Sequence, residues 1–304
     1  MIRVMKKYRA VFGVASVSII LLLLGYLLVR GVHFDVLMPM GAVAKEQRNL
    51  LYFALLLCAV VVVPVFMLLI SFAWKYRESN KKAKYKPEWS ENKLLEIVWW
   101  GIPIVIIGIL ATVTWFTSHS LDPYRPLVSD KRAIEVQVVA LQWKWLFIYP
   151  ELGVATLNQL PVPVGTPIHF TLTSDAPMSA FWVPTLGSQI YTMNGMSSQL
   201  NLIADHAGDF TGYSTNINGE GYADMKFSVH ARSQVEFDAW VKQAAGSMEM
   251  LDWQTYQTLA KQEIVTEERQ YMLMDTGLYN KIINKYMDMP TGGSAHAMPA
   301  MEGM

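Results

Sequence analysis

Three stretches of the chain are uncharged throughout. Residues 10–29 read AVFGVASVSIILLLLGYLLV, residues 50–73 read LLYFALLLCAVVVVPVFMLLISFA and residues 97–118 read IVWWGIPIVIIGILATVTWFTS. Each meets the ~20 residues needed to cross a ~30 Å hydrocarbon core. Lipid offers the backbone no hydrogen-bond partner, so each is expected to be a helix. Pro64 and Pro103 fall inside the second and third stretches, where membrane helices tolerate proline better than exposed soluble helices do. From about Ala133 the texture changes. IEVQVVALQW, LFIYP, PIHFTLTSD, AFWVPTL, SQLNLIAD, DFTGYST and ADMKFSVHA are short, β-branched or aromatic, and separated by Pro, Gly, Asn and Asp. That spacing predicts an all-β sandwich or barrel. After Ala231, RSQVEFDAWVKQAAG, LDWQTYQTLAKQ and TGLYNKIINKYMDM carry helical spacing and predict short amphipathic helices.

The expected fold class is transmembrane α-helices plus all-β. Residues 1–40 form a signal-like or first transmembrane segment, and residues 41–118 a transmembrane hairpin with a basic loop at 74–96. Residues 119–232 form the β-domain, 233–285 a helical extension, and 286–304 a flexible Met- and Gly-rich tail.

Charge sets the orientation. Of 304 residues only 16% are charged, well below the ~25% of ordinary soluble domains. The zero net charge hides an asymmetry: residues 1–117 hold 14 Lys+Arg against 6 Asp+Glu, and residues 118–304 hold 11 against 19. The basic residues do not belong to a folded basic domain, which excludes a nucleic-acid partner. A single cysteine, Cys58, excludes a disulfide scaffold. Lys75, Arg77, Lys81, Lys82, Lys84, Lys86 and Lys93 place the loop between the second and third stretches in the cytoplasm. Arg3, Lys6, Lys7 and Arg9 place the N-terminus there too, so three spans leave residues 119–304 outside. The first stretch also has the form of a signal peptide, but it is long for one and no small-x-small site follows. Its retention as a third helix is expected, with cleavage as the alternative.

The hairpin enters its second helix with KLLEIVWWGIP. The outer domain then runs through VVALQWKWLFIYP, PVPVGTPIHFTLTSD, FWVPTLGSQIYTMNGM and YSTNINGEGYADMKF. From about Gly41 to Lys242 this ordered series resembles subunit II of the haem–copper oxidases, which implies a cupredoxin-type β-sandwich for the outer domain. The cytochrome c oxidases of that family hold two coppers with the motif Cys-x-Glu-x-Cys-x-x-x-His-x-x-Met and an earlier His. Two thiolates and two imidazoles suit copper. The matching positions here read Ser214-x-Asn216-x-Asn218-x-x-x-Tyr222-x-x-Met225, with Ser179 in place of the earlier His. Only Met225 survives, so these are vestigial copper-site positions and no metal is expected there. Cys58 lies in a membrane stretch, and none of the six His falls between 213 and 225.

The pattern resembles the quinol-oxidase class of the family, the cytochrome bo type; SQIYTMNGM, FAWKYRESNKKAKY and QWKWLFIYP look most like it. The resemblance implies a non-catalytic subunit of a proton-pumping complex that oxidises quinol and reduces O2. The chain itself would carry no cofactor. Haems, copper and the quinol site would belong to subunit I, with small subunits III and IV and membrane lipid as further partners. Cytochrome c is not an expected partner, because the acidic outer domain could steer it but has no acceptor to offer. The implied location is the bacterial inner membrane, multi-pass, with the large C-terminal domain periplasmic. Many bacterial members carry a lipidated Cys after the first apolar segment; Val32 stands at that place. The alternative function is a membrane-anchored cupredoxin-like module that handles copper without an oxidase partner.

Glu96 immediately precedes the third uncharged stretch, near the cytoplasmic start of its helix. The resemblance implies a carboxylate at the mouth of a proton-uptake channel into subunit I. A carboxylate at a helix N-terminus is also simply favourable there, by ~0.3–1 kcal/mol. Trp143 and Trp145 are expected to share one strand face and to pack at the domain base or against subunit I. Met287, Met289, Met298, Met301, Met304 and His296 could hold Cu(I), or could be a flexible end. His119 and His169 each stand alone and carry no functional reading. The vestigial polar groups are expected to pair with one another or with backbone, since each left unpaired in a pocket costs ~1–3 kcal/mol.

Overall fold

A computed structural model describes residues 34–81, 88 and 91–287, together with positions 20, 23–25, 27 and 30. It falls into two units, Met1–Met38 and Pro39–Met304. Most of the first apolar stretch lies outside the described residues, as do Lys82, Lys84 and Lys86 of the basic loop and the tail beyond Met287. What is described of the first unit is helical at 20, 23–25 and 27, with a 3₁₀ turn at Asp35–Leu37.

The second unit opens with two long helices, α1 (Ala42–Lys75) and α2 (Lys93–Ser120). Their most apolar windows reach mean hydropathies of 3.1 and 2.3, and none of those window residues is buried by protein. Side chains such as Leu68, Ile70, Ile104 and Ile107 stand more than half exposed, which is stable in hydrocarbon and not in water. Exposed aromatics mark two levels. Tyr52 and Trp115 lie toward one end, and Trp74, Tyr76, Trp99 and Trp100 toward the other. At 1.5 Å per residue these levels are ~33 Å apart along α1 and ~22 Å apart along α2. They correspond to the aromatic belts of a bilayer-spanning hairpin. Pro64 and Pro103 are both accommodated inside continuous helices.

The strands are β1 (Ile134–Leu141), β2 (Lys144–Tyr149), β3 (Val154–Leu157), β4 (Gln159–Pro163), β5 (Pro167–Ser174), β6 (Ser179–Val183), β7 (Gly187–Thr192), β8 (Ser198–Ile203), β9 (Gly208–Ser214) and β10 (Lys226–Arg232). Then come α3 (Gln234–Ala245), β11 (Met250–Leu251), α4 (Trp253–Leu259), β12 (Arg269–Leu273) and α5 (Leu278–Met287). One sheet runs β11-β12-β3-β2-β1-β5-β8 and the other β4-β10-β9-β6-β7. The expected β-sandwich is therefore present.

Its packing explains why β1 and β2 read as one nearly continuous apolar run. Val136, Val138, Ala140, Trp145, Phe147 and Tyr149 point between the sheets. There Phe181 stacks on Phe227 at 5.1 Å, and Trp145 meets both edge-on. Val139, Leu141, Leu146 and Ile148 point the other way and are covered by Leu278, Tyr279, Ile282 and Ile283 of α5 and Tyr256 of α4. A sheet covered on both faces has no reason to alternate. The region after Ala231 is also more than the helices its spacing suggested: β11 and β12 extend the larger sheet, β12 pairing antiparallel with β3.

Both membrane helices are fastened at β8, the edge of that sheet, or at the residues just past it. At the start of α1, Asp205 N donates to Met40 O at 2.8 Å. Just past α2, Asn201 donates to Pro123 O from its backbone (3.1 Å) and its side chain (3.0 Å). The β6–β7 turn grips α1 as well. Met40 N donates to Thr185 O and Ala44 N to Leu186 O, and Gln47 exchanges hydrogen bonds with Ser188. Gly187 sits in this contact at φ +113°, and a Cβ there would fall 2.8 Å from Ala44 N.

Candidate functional site

Two loops meet at one end of the β-sandwich. The first, 175–178, joins β5 to β6; the second, 215–225, joins β9 to β10 and contains a 3₁₀ turn at Glu220–Asp224. Antiparallel pairing of β6 with β9 sets Phe181 opposite Ser214, and Thr215 N donates to Ala180 O at 3.1 Å. That register delivers Ser179 to the second loop.

Four of the six vestigial positions close on one another here. Asn218 Nδ2 donates to Ser179 Oγ at 2.8 Å and approaches Met225 Sδ at 3.6 Å. Ser179 Oγ donates onward to Pro177 O at 3.2 Å. Ser214 N donates to Met225 O. Ser179, Ser214 and Met225 are buried, with Asn218 partly so. Asn216 turns to the first loop instead, its Nδ2 donating to Met178 O at 2.7 Å. Tyr222 enters through its backbone, as donor to Gly219 O and acceptor from Met225 N.

The expected pairing is incomplete. Ser214 Oγ and Asn218 Oδ1 are buried without a partner, as is the indole N–H of Trp143. These groups do not fit a dinuclear copper centre. They offer hydroxyl, amide and one thioether in place of two thiolates and two imidazoles, and the Ser179 hydroxyl and the Asn218 amide are already engaged with each other.

Trp143 and Trp145 depart from the expected strand face. Trp143 lies in the turn between β1 and β2 with φ 62°. Its ring covers the second loop at Gly221, where a Cβ would meet it at 2.4 Å. Trp145 is on β2 and fully buried between the sheets. Both rings pack inside the domain.

Glu96 stands apart, in the first turn of α2, whose Asn92 cap accepts from Leu94 N and Leu95 N. It is exposed, one turn outside Trp99 and Trp100, and ~36 Å along the helix from Ser120. His119 and His169 are each engaged locally, with Trp115 O at 2.7 Å and Asn201 Oδ1 at 2.8 Å.

Three residues that sequence reasoning passed over organise the domain. Asp175, its side chain fully buried, accepts from Tyr256 OH (2.5 Å), Lys285 Nζ (2.7 Å) and Tyr286 OH. Burial and the hydrogen bond to this carboxylate push both phenols well above their ordinary range. Lys144, buried, donates to Lys261 O (3.0 Å) and Glu263 O (3.4 Å). Burial lowers its ammonium pKa, partly offset by Glu263. Asn158, at φ 55°, accepts from Trp145 N and donates to Val265 O (2.6 Å) and Glu267 O (3.4 Å). With Gln159 Nε2 on Arg269 O, side-chain donors meet every second carbonyl from 261 to 269. A lone Lys inside the apolar run VVALQWKWLFIY was the one available signal.

The chain matches three sequence families: "Cytochrome C oxidase subunit II, transmembrane domain" over residues 32–116, "Cytochrome C oxidase subunit II, periplasmic domain" over 115–232, and "COX Aromatic Rich Motif" over 246–289. It is 44% identical to cytochrome bo(3) ubiquinol oxidase subunit 2 of Pseudomonas putida, covering 96% of this chain and 91% of that one. It is 45% identical to ubiquinol oxidase subunit 2 of Acetobacter aceti, covering 88% and 89%. Among solved structures, the periplasmic domain of subunit II of cytochrome oxidase (CoxB) of Bradyrhizobium japonicum is 22% identical. It aligns with 39% of this chain and 96% of its own at a TM-score of 0.37.

Proposed function

Since the chain belongs to the family of ubiquinol oxidase subunit 2, we propose that it serves as the non-catalytic subunit II of a proton-pumping quinol oxidase in a bacterial inner membrane. Quinol oxidation and O2 reduction take place in subunit I, which holds the haems, the copper and the quinol. Small subunits III and IV complete the complex. The observation that carries this reading is the Ser179–Asn218–Met225 cluster. An outer domain that received electrons from a soluble carrier would need a redox centre, and hydroxyl and amide groups do not build one from copper.

The hairpin supplies apolar faces for subunit I to cover, and the β-sandwich caps that subunit on the outer side. Glu96 supplies the one chemical contribution of this chain. It stands at the inner end of α2, open to water, beside a helix face that a partner would dry. A carboxylate there can take a proton from solution and hand it to a channel in the neighbouring subunit.

Two measurements test this. Full-length chain purified from native membranes is expected to bring a haem-bearing subunit with it; recovery free of haem protein sinks the oxidase reading. In the assembled complex, Glu96→Gln is expected to slow quinol-driven turnover and proton pumping severalfold with haem content unchanged. Normal turnover and pumping remove Glu96 from proton uptake and leave the rest of the reading standing.

A further inference from the structure

The 246–289 motif meets one end of the sandwich at Ser197, whose hydroxyl lies 3.0 Å from Tyr279 OH, and at the carboxylate of Asp175. Asp175 is the second residue of the segment Ser174–Ser179 that leads into Ser179. Its backbone N–H donates to Ala140 O at 2.9 Å, which ties it to β1. Its carboxylate faces the other way and, among the described residues, is hydrogen-bonded from the C-terminal motif alone, by Tyr256 of α4 and by Lys285 and Tyr286 of α5. Those residues lie 81, 110 and 111 positions downstream. The carboxylate has no exposure at all, while Lys285 is 43% exposed. Two phenols and an ammonium therefore replace water around a charge that could not otherwise stay inside.

The dependence runs in both directions. If α4 and α5 leave, a buried carboxylate loses its donors; if the 174–179 segment shifts, two phenols and an ammonium lose their acceptor. The segment has other ties. Ser174 Oγ donates to Ala176 O, and Ser179 Oγ to Pro177 O. Other bonds reach the strands and the second loop: Ser174 Oγ lies 3.3 Å from Ala140 O, Asn216 Nδ2 donates to Met178 O and Thr192 Oγ1 to Ser179 O. Among the described residues, the hydrogen bonds that tie the segment to the C-terminal motif are those on the Asp175 carboxylate.

We propose that Asp175 is an internal tie through which the C-terminal aromatic motif holds the Ser174–Ser179 segment, and with it the Ser179–Asn218 contact, in a single conformation. The motif thus positions the end of the sandwich where the family's metal ligands would stand. This does not rest on the oxidase reading, because it concerns the chain by itself.

The test is hydrogen–deuterium exchange on the full chain in lipid nanodiscs, for wild type, Asp175→Asn, Tyr286→Phe and Asp275→Asn. The last removes an exposed ion pair to Lys281 on the same helix. Asp175→Asn is expected to raise exchange at least tenfold in residues 176–182 and 214–218 as well as in α4 and α5. Tyr286→Phe leaves two of the three donors and is expected to raise the same segments severalfold, so the comparison survives even if Asp175→Asn does not accumulate. Asp275→Asn is expected to leave 176–182 unchanged. Exchange that rises in 253–287 alone, with 176–182 at the wild-type rate in both Asp175→Asn and Tyr286→Phe, overturns the proposal. So does a rise in 176–182 equally large in Asp275→Asn.

Discussion

The side-chain amide of Asn218 donates to the hydroxyl of Ser179 at 2.8 Å, across 39 residues of chain. The Ser179 proton is already given to Pro177 O, so the contact works only with a donor at 218. Asn218→Ala is expected to cost about 1 kcal/mol, the net worth of a hydrogen bond. Asn218→Asp keeps the shape but turns an acceptor toward an acceptor, and is expected to cost more than the alanine. Thermal unfolding of the two variants checks the order; an aspartate milder than the alanine contradicts this geometry.

The β6–β7 turn tolerates no side chain at its tip. Gly187→Ala combines a left-handed φ with a Cβ 2.8 Å from Ala44 N and 2.9 Å from Val43 Cγ1. Overpacking of this kind costs about 1–3 kcal/mol, and the backbone strain adds about 1–2 kcal/mol. Chemical denaturation is expected to show the loss, and limited proteolysis to show new cleavage near 185–188.

The donors facing segment 261–269 differ in what they leave behind. Asn158→Ala orphans Trp145 N–H and two carbonyls, at about 1–3 kcal/mol for each group that stays buried. Asn158→Asp still accepts from Trp145 but turns a buried carboxylate oxygen toward both carbonyls, and is expected to cost more than the alanine. Protease sensitivity of 261–268 should rise in the same order as stability falls.

Alkaline pH has a definite sign. Burial raises the Tyr149 phenol, whose O–H donates to Pro161 O at 2.8 Å, and burial with the Asp175 carboxylate raises Tyr256. In the unfolded chain both ionise near pH 10 while the folded chain keeps its protons, so the folded state is favoured below pH 10 and loses ground above it. Each tyrosine contributes about 1.4 kcal/mol per pH unit. Lys144 opposes this weakly. Its folded pKa is lowered, so stability rises with pH between that value and 10.5 as the unfolded chain holds the extra proton. Denaturant midpoints between pH 9 and 11 are expected to fall, and Tyr149→Phe to flatten the slope.

The membrane hairpin was legible because lipid demands uncharged runs, and the sandwich because short strands between turn residues leave their own rhythm. β12 was not, because RQYML follows a polar stretch whose carbonyls are met by Lys144, Asn158 and Gln159 rather than by a neighbouring strand. Asp175 reads locally as a turn residue after β5, and its three donors lie 81 or more positions away. Trp143 and Trp145 do not share a strand face for a related reason: a left-handed turn at 143 separates the two strands there. The missing thiolates and imidazoles were plain in the sequence, whereas the hydrogen bond that joins Ser179 to Asn218 needed the fold.

The attachment of Asp205 to Met40 and of Asn201 to Pro123 has a mechanical meaning. Extramembrane domains on free tethers sweep out a volume and meet partners by search. Here the two points where the chain leaves the bilayer are bonded to residues four apart, Asn201 in β8 and Asp205 just past it, which restrains the β-sandwich against swivelling. Its heading relative to the hairpin is fixed before any partner arrives. A neighbour that seats against the helices receives the outer domain at a preset angle, with no orientational search left to make.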